Sequence, residues 1–282
     1  MQEPQSRALG GDVQTVRLSR VLETTYDTAS LRVRPFGINE RDLEVDFGKS
    51  SRPALVTDII ECCATTAGGR TPDRNLIWEL QVSTRIESLL RIVALGGGFD
   101  SPLPRRCLNE SCGATVEVDL SLHDLIEGPG EQSDFISVDC GPQILELRKP
   151  NGLDQLRWTA REFENEQMAL EAMVQTLVRS DSTAADLTLD DQSMSAIDRA
   201  MQENDSLVSF NFEVVCPYCD HSSEIELDLQ EFAIEYLKRS QRRLLSMIHR
   251  LAKHYHWSEQ QSFAVPHWRR VHYLRLLEEE RK

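Results

Sequence analysis

Four cysteines occur in two pairs whose spacing is typical of metal ligands. Cys216-Pro217-Tyr218-Cys219 has the C-x-x-C spacing with which a tight turn presents two thiolates to one cation. Structural zinc takes four ligands, and an upstream C-x-x-x-x-C pair, Cys107 and Cys112, supplies the other two. We therefore predict one Zn²⁺ bound by Cys107, Cys112, Cys216 and Cys219. A four-cysteine site has no open position, so this metal is expected to be structural and not to activate water.

Two alternatives to this ligand set remain open from the sequence. The four cysteines are also compatible with redox-active or simply buried thiols. His221 and His123 each stand beside one pair and are possible replacement ligands, although ordinary surface histidines are expected there. Cys62, Cys63 and Cys140 have no metal spacing, and we interpret them as small core residues.

The segments after the two pairs resemble each other. Residues 117–125 and residues 224–232 match in chemical type at a constant offset of 107 positions, and both alternate apolar and polar side chains. Such alternation predicts a short, half-buried strand that leads towards a helix. The expected fold is α+β: a split zinc ribbon with a long α/β insertion, N-terminal helices and a C-terminal helical tail.

The composition limits the class of protein. A chain of 282 residues with 40% hydrophobic and 27% charged residues is typical of a soluble globular protein with one elaborated domain or two small ones. No apolar run approaches the roughly 20 residues of a membrane helix, and the polar start lacks the apolar core of a signal peptide. We expect a cytoplasmic protein without membrane contacts. An odd number of cysteines argues against a secreted disulfide scaffold.

Charge is distributed unevenly. The net charge of the chain is -15, but residues 238–282 contain eleven Lys/Arg and four Glu, a net charge of +7, which leaves -22 on residues 1–237. We predict three regions: a flexible arm at 1–30, an α+β body at 31–237 with an insertion at 128–200, and a basic helical tail at 238–282. An acidic body repels nucleic acid, whereas the basic tail suits an acidic surface.

Local patterns place helices and turns in the body. A helix is expected after Ser51, and a second one near Thr84, where Thr84 and Glu87 have capping-box spacing. The three glycines at 96–98 follow a helix and lack a Walker lysine, so they predict a helix end and not a phosphate loop. In the insertion we expect a hairpin, followed by Arg148, Asp154 and Trp158, which suit either a recognition surface or a capped, half-buried turn.

The tail carries the candidate partner-binding residues. Apolar positions predict a long helix from about residue 230 to 254, a second helix capped by Ser258 and a third after Pro266. Aromatic and arginine side chains are common interface anchors, which favours the residues Tyr255, Trp257, Trp268, Arg269 and Arg270. Packing of these aromatic side chains between the tail helices is the alternative. Several histidines occur here, but their spacing and the lack of interleaved acidic residues argue against a second metal site.

Several of these phrases resemble a known family. They are the first cysteine pair with the strand residues Glu117 and Val118, the motif Arg148-Lys149-Pro150-Asn151-Gly152-Leu153-Asp154, the pair at 216–219, and residues 248–259 with the following Trp268-Arg269-Arg270. In their order they resemble the baseplate hub assembly chaperone family of T-even-like contractile phage tails and related phage-tail-like injection systems. The resemblance covers most of residues 50–277.

The resemblance implies a non-enzymatic role in building or forming a baseplate in the bacterial cytoplasm, through contacts with other baseplate or tail proteins. No catalytic residues and no small-molecule substrate are implied. The sequence itself shows no paired nucleophile and base that would predict an enzyme. The alternative is a zinc-ribbon nucleic-acid-binding or regulatory protein that uses the basic C-terminal tail, and the acidic body argues against binding to nucleic acid.

Overall fold

The computed structural model describes residues 13–98, 103–119, 121–126, 133–140, 144–179 and 190–280. The strands are β1 Gln14–Arg17, β2 Ser30–Val33, β3 Ala64–Thr66, β4 Leu103–Arg106, β5 Thr115–Val118, β6 Phe135–Asp139, β7 Ile144–Arg148, β8 Asn211–Val215 and β9 Ser222–Glu226. The helices are α1 Arg20–Tyr26, α2 Arg52–Cys63, α3 Arg74–Glu79, α4 Val82–Leu95, α5 Leu122–Ile126, α6 Gly152–Thr159, α7 Glu166–Leu177, α8 Asp191–Asn204, α9 Leu229–Tyr255, α10 Glu259–Ala264 and α11 His267–Glu279. The fold is α+β with small antiparallel sheets, as predicted.

The main core lies between the antiparallel sheet β1-β2-β3 and the helices α2, α4 and α9. Val16 and Leu31 face inward from paired strands and have no exposed surface. For the N-terminal residues, a mobile arm or an edge strand was expected, and residues 13–30 contain the edge strand β1 and the helix α1, because alternate side chains of β1 are buried in this core. Residues 1–12 lie outside the described part.

α4 is the central helix of the main core. Leu89, Leu90 and Val93 are fully buried, and both α5 and α9 pack against this helix. It ends as predicted at the glycine run, where Gly97 and Gly98 have φ values of 107° and 72°. α4 is therefore in a position to receive the two helices that follow the cysteine pairs.

The insertion has a core of its own. The hairpin β6-β7, predicted from the sequence, packs against α7 and α8. Its inner face and the two helices bury a set of aliphatic side chains, namely Ile136, Val138, Leu145, Leu147, Val174, Leu177 and Ile197. This second cluster is separate from the main core, which suits a unit inserted between the two cysteine pairs.

The motif at 148–154 attaches the insertion to the body. Arg148 Nη2 donates to Asp154 Oδ1 at 2.8 Å, and Asn151 and Asp154 form a capping box at the start of α6. The Pro150 carbonyl accepts a hydrogen bond from the Val82 N–H at the start of α4, at 2.9 Å. Since Asp154 is 1% exposed, the structure supports the capped turn and not a recognition surface.

The C-terminal helices are continuous with the body. The predicted boundary between residues 237 and 238 falls inside α9, whose first turns are buried in the main core at Leu229 and Leu237. Gln241 Nε2 donates to the carbonyls of Asp42 and Val45, at 2.7 and 2.8 Å. Among the described residues, no helix combines the length and the apolar composition required to cross a bilayer.

Candidate metal centre

The first cysteine pair forms the turn between β4 and β5. The Cys107 N–H donates to the Ala114 carbonyl at 2.8 Å, which closes the hairpin, and the Cys112 N–H donates to the Asn109 carbonyl at 2.9 Å. The chain reverses at Gly113, whose φ of 56° is a conformation that glycine adopts without a steric penalty. Both thiols are thus held on the inner side of one turn.

The second pair forms a shorter turn between β8 and β9. Here the Cys216 N–H donates to the His221 carbonyl at 3.0 Å, and the Asp220 N–H donates to the Cys216 carbonyl at 2.9 Å. Asp220, directly after the second cysteine, has a φ of 53°. Both turns therefore end their cysteine pair with a left-handed residue, although the first turn is two residues longer.

The predicted repeat is present in the structure. β5 begins at residue 115 and β9 at residue 222, while α5 begins at 122 and α9 at 229, so strand and helix both keep the offset of 107. Leu122 and Leu229 occupy the same position in their units and are both buried in the main core. Each hairpin is followed by a helix, α5 or α9, and both helices pack on α4. The two hairpins are therefore anchored to a common element.

The four predicted ligands converge. Their sulfur atoms all lie within 4.8 Å of one another, with Cys107 Sγ 3.7 Å from Cys219 Sγ and Cys112 Sγ 3.8 Å from Cys216 Sγ. A disulfide requires about 2.05 Å, so these cysteines are free thiols. A tetrahedral metal with bonds to sulfur of about 2.3 Å separates its ligands by about 3.8 Å. The geometry therefore fits a closed four-coordinate metal site.

Hydrogen bonds from neutral groups surround the sulfurs. Main-chain N–H groups two residues after Cys107, Cys112 and Cys216 donate to their thiols, and Asn109 Nδ2 lies 3.7 Å from Cys219 Sγ. Such donors stabilise thiolates, as the ligands of a metal require.

Hydrogen bonds and desolvation within the cluster shift the pKa values of its thiols in opposite directions. The hydrogen bond from the Tyr218 N–H and the neighbouring thiols lower the pKa of Cys216 to about 7. The pKa of Cys107 is raised to about 12: the Asn109 N–H favours its thiolate, but desolvation and the neighbouring thiols outweigh this bond. The thiols therefore differ in how readily they ionise, and a bound divalent cation would favour the thiolate form of all four.

His221 does not join the described cluster. The set of converging ligand atoms contains the four cysteines, and His221 contributes its main-chain carbonyl to the hairpin. The side chain of His123 lies outside the described part of the structure. Cys216 is 1% exposed, and the other three cysteines are half-buried.

A second cluster, which the sequence analysis did not anticipate, contains Asp42, Cys62 and Cys63. The Asp42 carboxylate accepts hydrogen bonds from three consecutive main-chain N–H groups, at 37–39, and from Arg34 Nη2 at 2.7 Å. The Arg34 guanidinium also lies 3.4 Å from Cys62 Sγ. Because the Arg34 guanidinium already supplies a positive charge to this cluster, binding of a metal ion is disfavoured there.

The predicted partner-binding residues are divided between surface and interior. Trp268 is 64% exposed and Arg269 is also exposed. Tyr255 stacks on Trp257 with ring centroids 4.9 Å apart, and both rings contact Tyr273 at 5.4 Å in tilted and edge-on arrangements. These three rings join α9 to α11, as the alternative interpretation expected.

Arg270 is a correction to the predicted partner surface. It is 3% exposed, donates to the Ile38 carbonyl and stacks over Phe263 with its guanidinium carbon 4.9 Å from the ring centroid. Its position in the first turn of α11 points the side chain towards the body, which the sequence pattern did not indicate. Arg270 therefore fastens the C-terminal helices to the loop around Asp42.

Comparisons of the chain with protein-family models, curated proteins and solved structures find no match. The function must therefore be inferred from the residues and their geometry.

Proposed function

We propose that Cys107, Cys112, Cys216 and Cys219 bind one structural Zn²⁺, which closes the two hairpins into a split zinc ribbon. The observation that carries this proposal is the separation of 3.7 to 3.8 Å between sulfurs of different hairpins, the separation that tetrahedral zinc requires. All four positions are protein thiolates, so the ion has no site for water or substrate. Zinc binding here stabilises the fold.

The hairpins need such a connection. Each has two short strands, and an isolated two-stranded hairpin is marginally stable in water. A metal shared by the hairpins fixes them relative to each other and to α5 and α9. We expect the joined hairpins to form a rigid platform for the C-terminal helices.

We further propose that the protein is a non-enzymatic component or assembly factor of a contractile tail baseplate, acting through protein contacts in the bacterial cytoplasm. The proposal is supported by the resemblance of the motifs at 107–118, 148–154, 216–219 and 248–270. Trp268 and Arg269, both exposed, are the partner-binding residues that we retain.

Metal analysis of the purified protein tests the zinc proposal. We expect one zinc per chain in the wild type and none in Cys112→Ser or Cys216→Ser, while Cys140→Ser keeps its zinc. Loss of zinc in only one hairpin's variants would mean that the hairpins do not share an ion, and the platform would have to be abandoned.

Co-expression tests the baseplate role. The protein is produced with the hub and wedge proteins of a contractile tail from the same genome, and stable complexes are isolated. We expect a complex that is lost in Trp268→Ala/Arg269→Gln and kept in the matched surface variant Arg17→Gln. Failure to form any complex, with zinc fully bound, would refute the baseplate role and leave the zinc site intact.

One observation favours nucleic-acid binding as a second candidate: α9 has an exposed series of cationic side chains that includes Arg239, Arg242 and Lys253. Binding to duplex DNA with an affinity that falls steeply as salt increases would support this candidate. The charge of -22 on the first 237 residues opposes it.

A further inference from the structure

A cleft lies between the two hairpins, beside the cysteine cluster. Arg105 and Val116 are cross-strand partners on the first hairpin, and Val214 and Ser223 are cross-strand partners on the second. All four line the cleft together with Ile225, and its empty volume of about 230 Å³ is partly open to solvent. The walls of the cleft are therefore formed by one face of each hairpin. We call it the hairpin cleft.

The acidic side chains of the hairpins lie on their other faces. Neighbouring residues of a strand point to opposite faces of a sheet, and Glu117, Glu213 and Glu224 each stand next to a residue that lines the cleft. All three are exposed. Among the described residues that line the cleft there is no Asp or Glu, while Arg106 and His221 border it at the cysteine end. The hairpin cleft thus contains two arginines and no carboxylate.

Arg105 is not used by the contacts within the chain. The residue is half-buried, and its Nε is enclosed without a hydrogen-bond partner in the described structure. The described residues also give its guanidinium no ion-pair partner. A half-buried arginine without an acceptor is unfavourable, because its donors have lost water and gained nothing in return. A ligand that brings oxygen atoms to this guanidinium is therefore favoured.

The cysteine cluster is the nearest source of negative charge within the chain. Zn²⁺ with four thiolates has a net charge of about -2, which the two arginines offset at short range. The sulfurs, however, receive their hydrogen bonds from main-chain N–H groups, from Asn109 and from one another. In the described structure none of these bonds comes from Arg105. Its N–H groups therefore remain for an acceptor from outside the chain.

We propose that the hairpin cleft binds the side chain of a glutamate from a partner protein. The carboxylate accepts hydrogen bonds from the guanidinium of Arg105, a charge-assisted pairing that arginine favours. The methylene groups of the glutamate lie against the aliphatic walls that Val116, Val214 and Ile225 provide, and this contact removes apolar surface from water. A cation between aliphatic walls is complementary to a carboxylate on a short aliphatic chain.

The aliphatic walls distinguish a glutamate from a phosphate group. A phosphate of nucleic acid offers oxygens to Arg105 but has no apolar part for the walls. The net charge of -15 repels both kinds of anion at long range, so it favours neither of them. At about 0.1 M salt the screening length is about 10 Å, which limits this repulsion for any anionic ligand.

The inference rests on the proposed zinc site, because the ion holds the two walls of the cleft together. It concerns a contact separate from Trp268 and Arg269, and it does not require that the partner is a baseplate protein. Zinc is therefore measured in every sample. Protein with one zinc per chain that binds no glutamate would overturn the cleft and leave the metal site intact, whereas protein that binds no zinc would refute both.

Nuclear magnetic resonance titration of the isotope-labelled, zinc-replete, full-length protein tests the proposal. The probe is the blocked tripeptide acetyl-Ala-Glu-Ala-amide, and its control is the uncharged analogue acetyl-Ala-Gln-Ala-amide. We expect the Glu peptide to shift the Arg105 Nε–H signal, and the Gln peptide to have a dissociation constant at least about tenfold higher, because the charge-assisted hydrogen bond is lost. Equal binding of the two peptides, or an unchanged Arg105 signal, would overturn the proposal.

Inorganic phosphate separates a glutamate site from a general anion site. We expect phosphate to bind at least about tenfold more weakly than the Glu peptide, because it makes no contact with the aliphatic walls. Ile225→Ala should weaken binding of the Glu peptide and leave binding of phosphate unchanged. Phosphate that binds as tightly as the peptide would show that the walls contribute nothing, and the assignment to glutamate would be wrong.

Arg105→Gln identifies the cation. This variant should raise the dissociation constant of the Glu peptide at least about tenfold while it keeps one zinc per chain. Arg32→Gln removes an exposed arginine from β2 and should bind the peptide like the wild type. The comparison of the two peptides on the wild type decides the case even if Arg105→Gln does not fold. If Arg105→Gln loses zinc and the wild type binds both peptides equally, Arg105 serves the metal site and the proposal is refuted.

Discussion

The four-cysteine cluster and the cluster around Asp42 both bring ionisable side chains together, but they differ in how their negative charge is balanced. Asp42 receives Arg34 and three main-chain N–H groups, so its negative charge is balanced within the chain. The four sulfurs, as far as the described residues show, receive hydrogen bonds from neutral N–H groups and from one another. Four thiolates at this separation are stabilised by a bound cation, whereas the Asp42 carboxylate has Arg34 as its cation.

The two clusters also differ in which parts of the chain complete them. The Asp42 site is completed by the C-terminal helices, since Gln241 donates to the Asp42 carbonyl and Arg270 to the Ile38 carbonyl. The cysteine site is completed by a second hairpin that repeats the first. One site joins the start and the end of the fold through the protein's own hydrogen bonds, and the other brings two similar units together at four cysteines whose geometry fits a metal ion.

The largest effect is expected from removal of the metal. Cys112→Ser, Cys216→Ser or a strong chelator should lower the free energy of unfolding by about 4 kcal/mol or more, because zinc binding is coupled to folding. Denaturant unfolding followed by circular dichroism, with and without chelator, measures this loss. Cys140→Ser is the control and should respond to chelator like the wild type. Equal stability with and without chelator would break the distinction between the two clusters.

Removal of the Asp42 charge should have the next largest effect. Asp42→Asn leaves the Arg34 guanidinium without its buried partner and weakens three N–H contacts, at a cost of roughly 3 kcal/mol. Because the positive charge of this cluster is part of the chain, the loss should be the same in the presence of chelator. Zinc content should not change.

Asp46→Asn is the matched control for Asp42. Its side chain is exposed and accepts a hydrogen bond from the Gly48 N–H, so little change in unfolding free energy is expected. If Asp42→Asn also loses zinc, the two clusters are coupled, and the comparison needs revision.

Features based on short spacing could be predicted from the sequence. Each cysteine pair, each strand–helix unit of the repeat and the hairpin of the insertion depend on residues near one another in the chain, and each of them is present. The repeat at an offset of 107 was recognised from the similarity of its two units. The four intervening residues of the first pair did not obscure it, because the longer turn still ends in a left-handed Gly113.

Apart from the convergence of the two cysteine pairs, contacts between distant residues could not be predicted. The start of α4 was expected near Thr84, but the helix begins at Val82, whose N–H is satisfied by the Pro150 carbonyl of the insertion. Arg270 has the composition of an interface anchor, yet its partners are Ile38 and Phe263. Only the folded chain shows which cations are used internally.

Arg85 is a further buried cation: it has no exposed surface and donates to the carbonyls of Ile77 and Pro53 at 2.7 Å. A substitution at Gly152, which lies against its guanidinium, tests how firmly Arg85 is held. A Cβ at position 152 would lie 2.6 Å from Arg85 Nη1 and 2.9 Å from the Trp78 carbonyl oxygen. Gly152→Ala should therefore cost about 2 kcal/mol through overpacking. Denaturant unfolding measures the cost.

Gly68→Ala provides the control for this substitution. Its Cβ would have the Thr66 hydroxyl at 3.9 Å as its nearest neighbour, so almost no loss of stability is expected. If Gly152→Ala does not change the free energy of unfolding, Arg85 can move without a loss of stability. Its position would then be less rigid than that of Arg34 in the Asp42 cluster.

The smallest predicted effect concerns the neutral donors around the sulfurs. Asn109 accepts a hydrogen bond from the Ser111 N–H at 3.0 Å and places its amide nitrogen 3.7 Å from Cys219 Sγ, so it both shapes the first turn and contacts a ligand from the second. Asn109→Ala should lower zinc affinity about tenfold without releasing the ion at saturating zinc. Competition with a chelator of known affinity measures the change, and Glu110→Ala, an exposed neighbour, should leave affinity unchanged. If both variants bind zinc as tightly as the wild type, the four thiolates alone determine affinity, and the neutral donors contribute nothing equivalent to the Arg34 contact with Asp42.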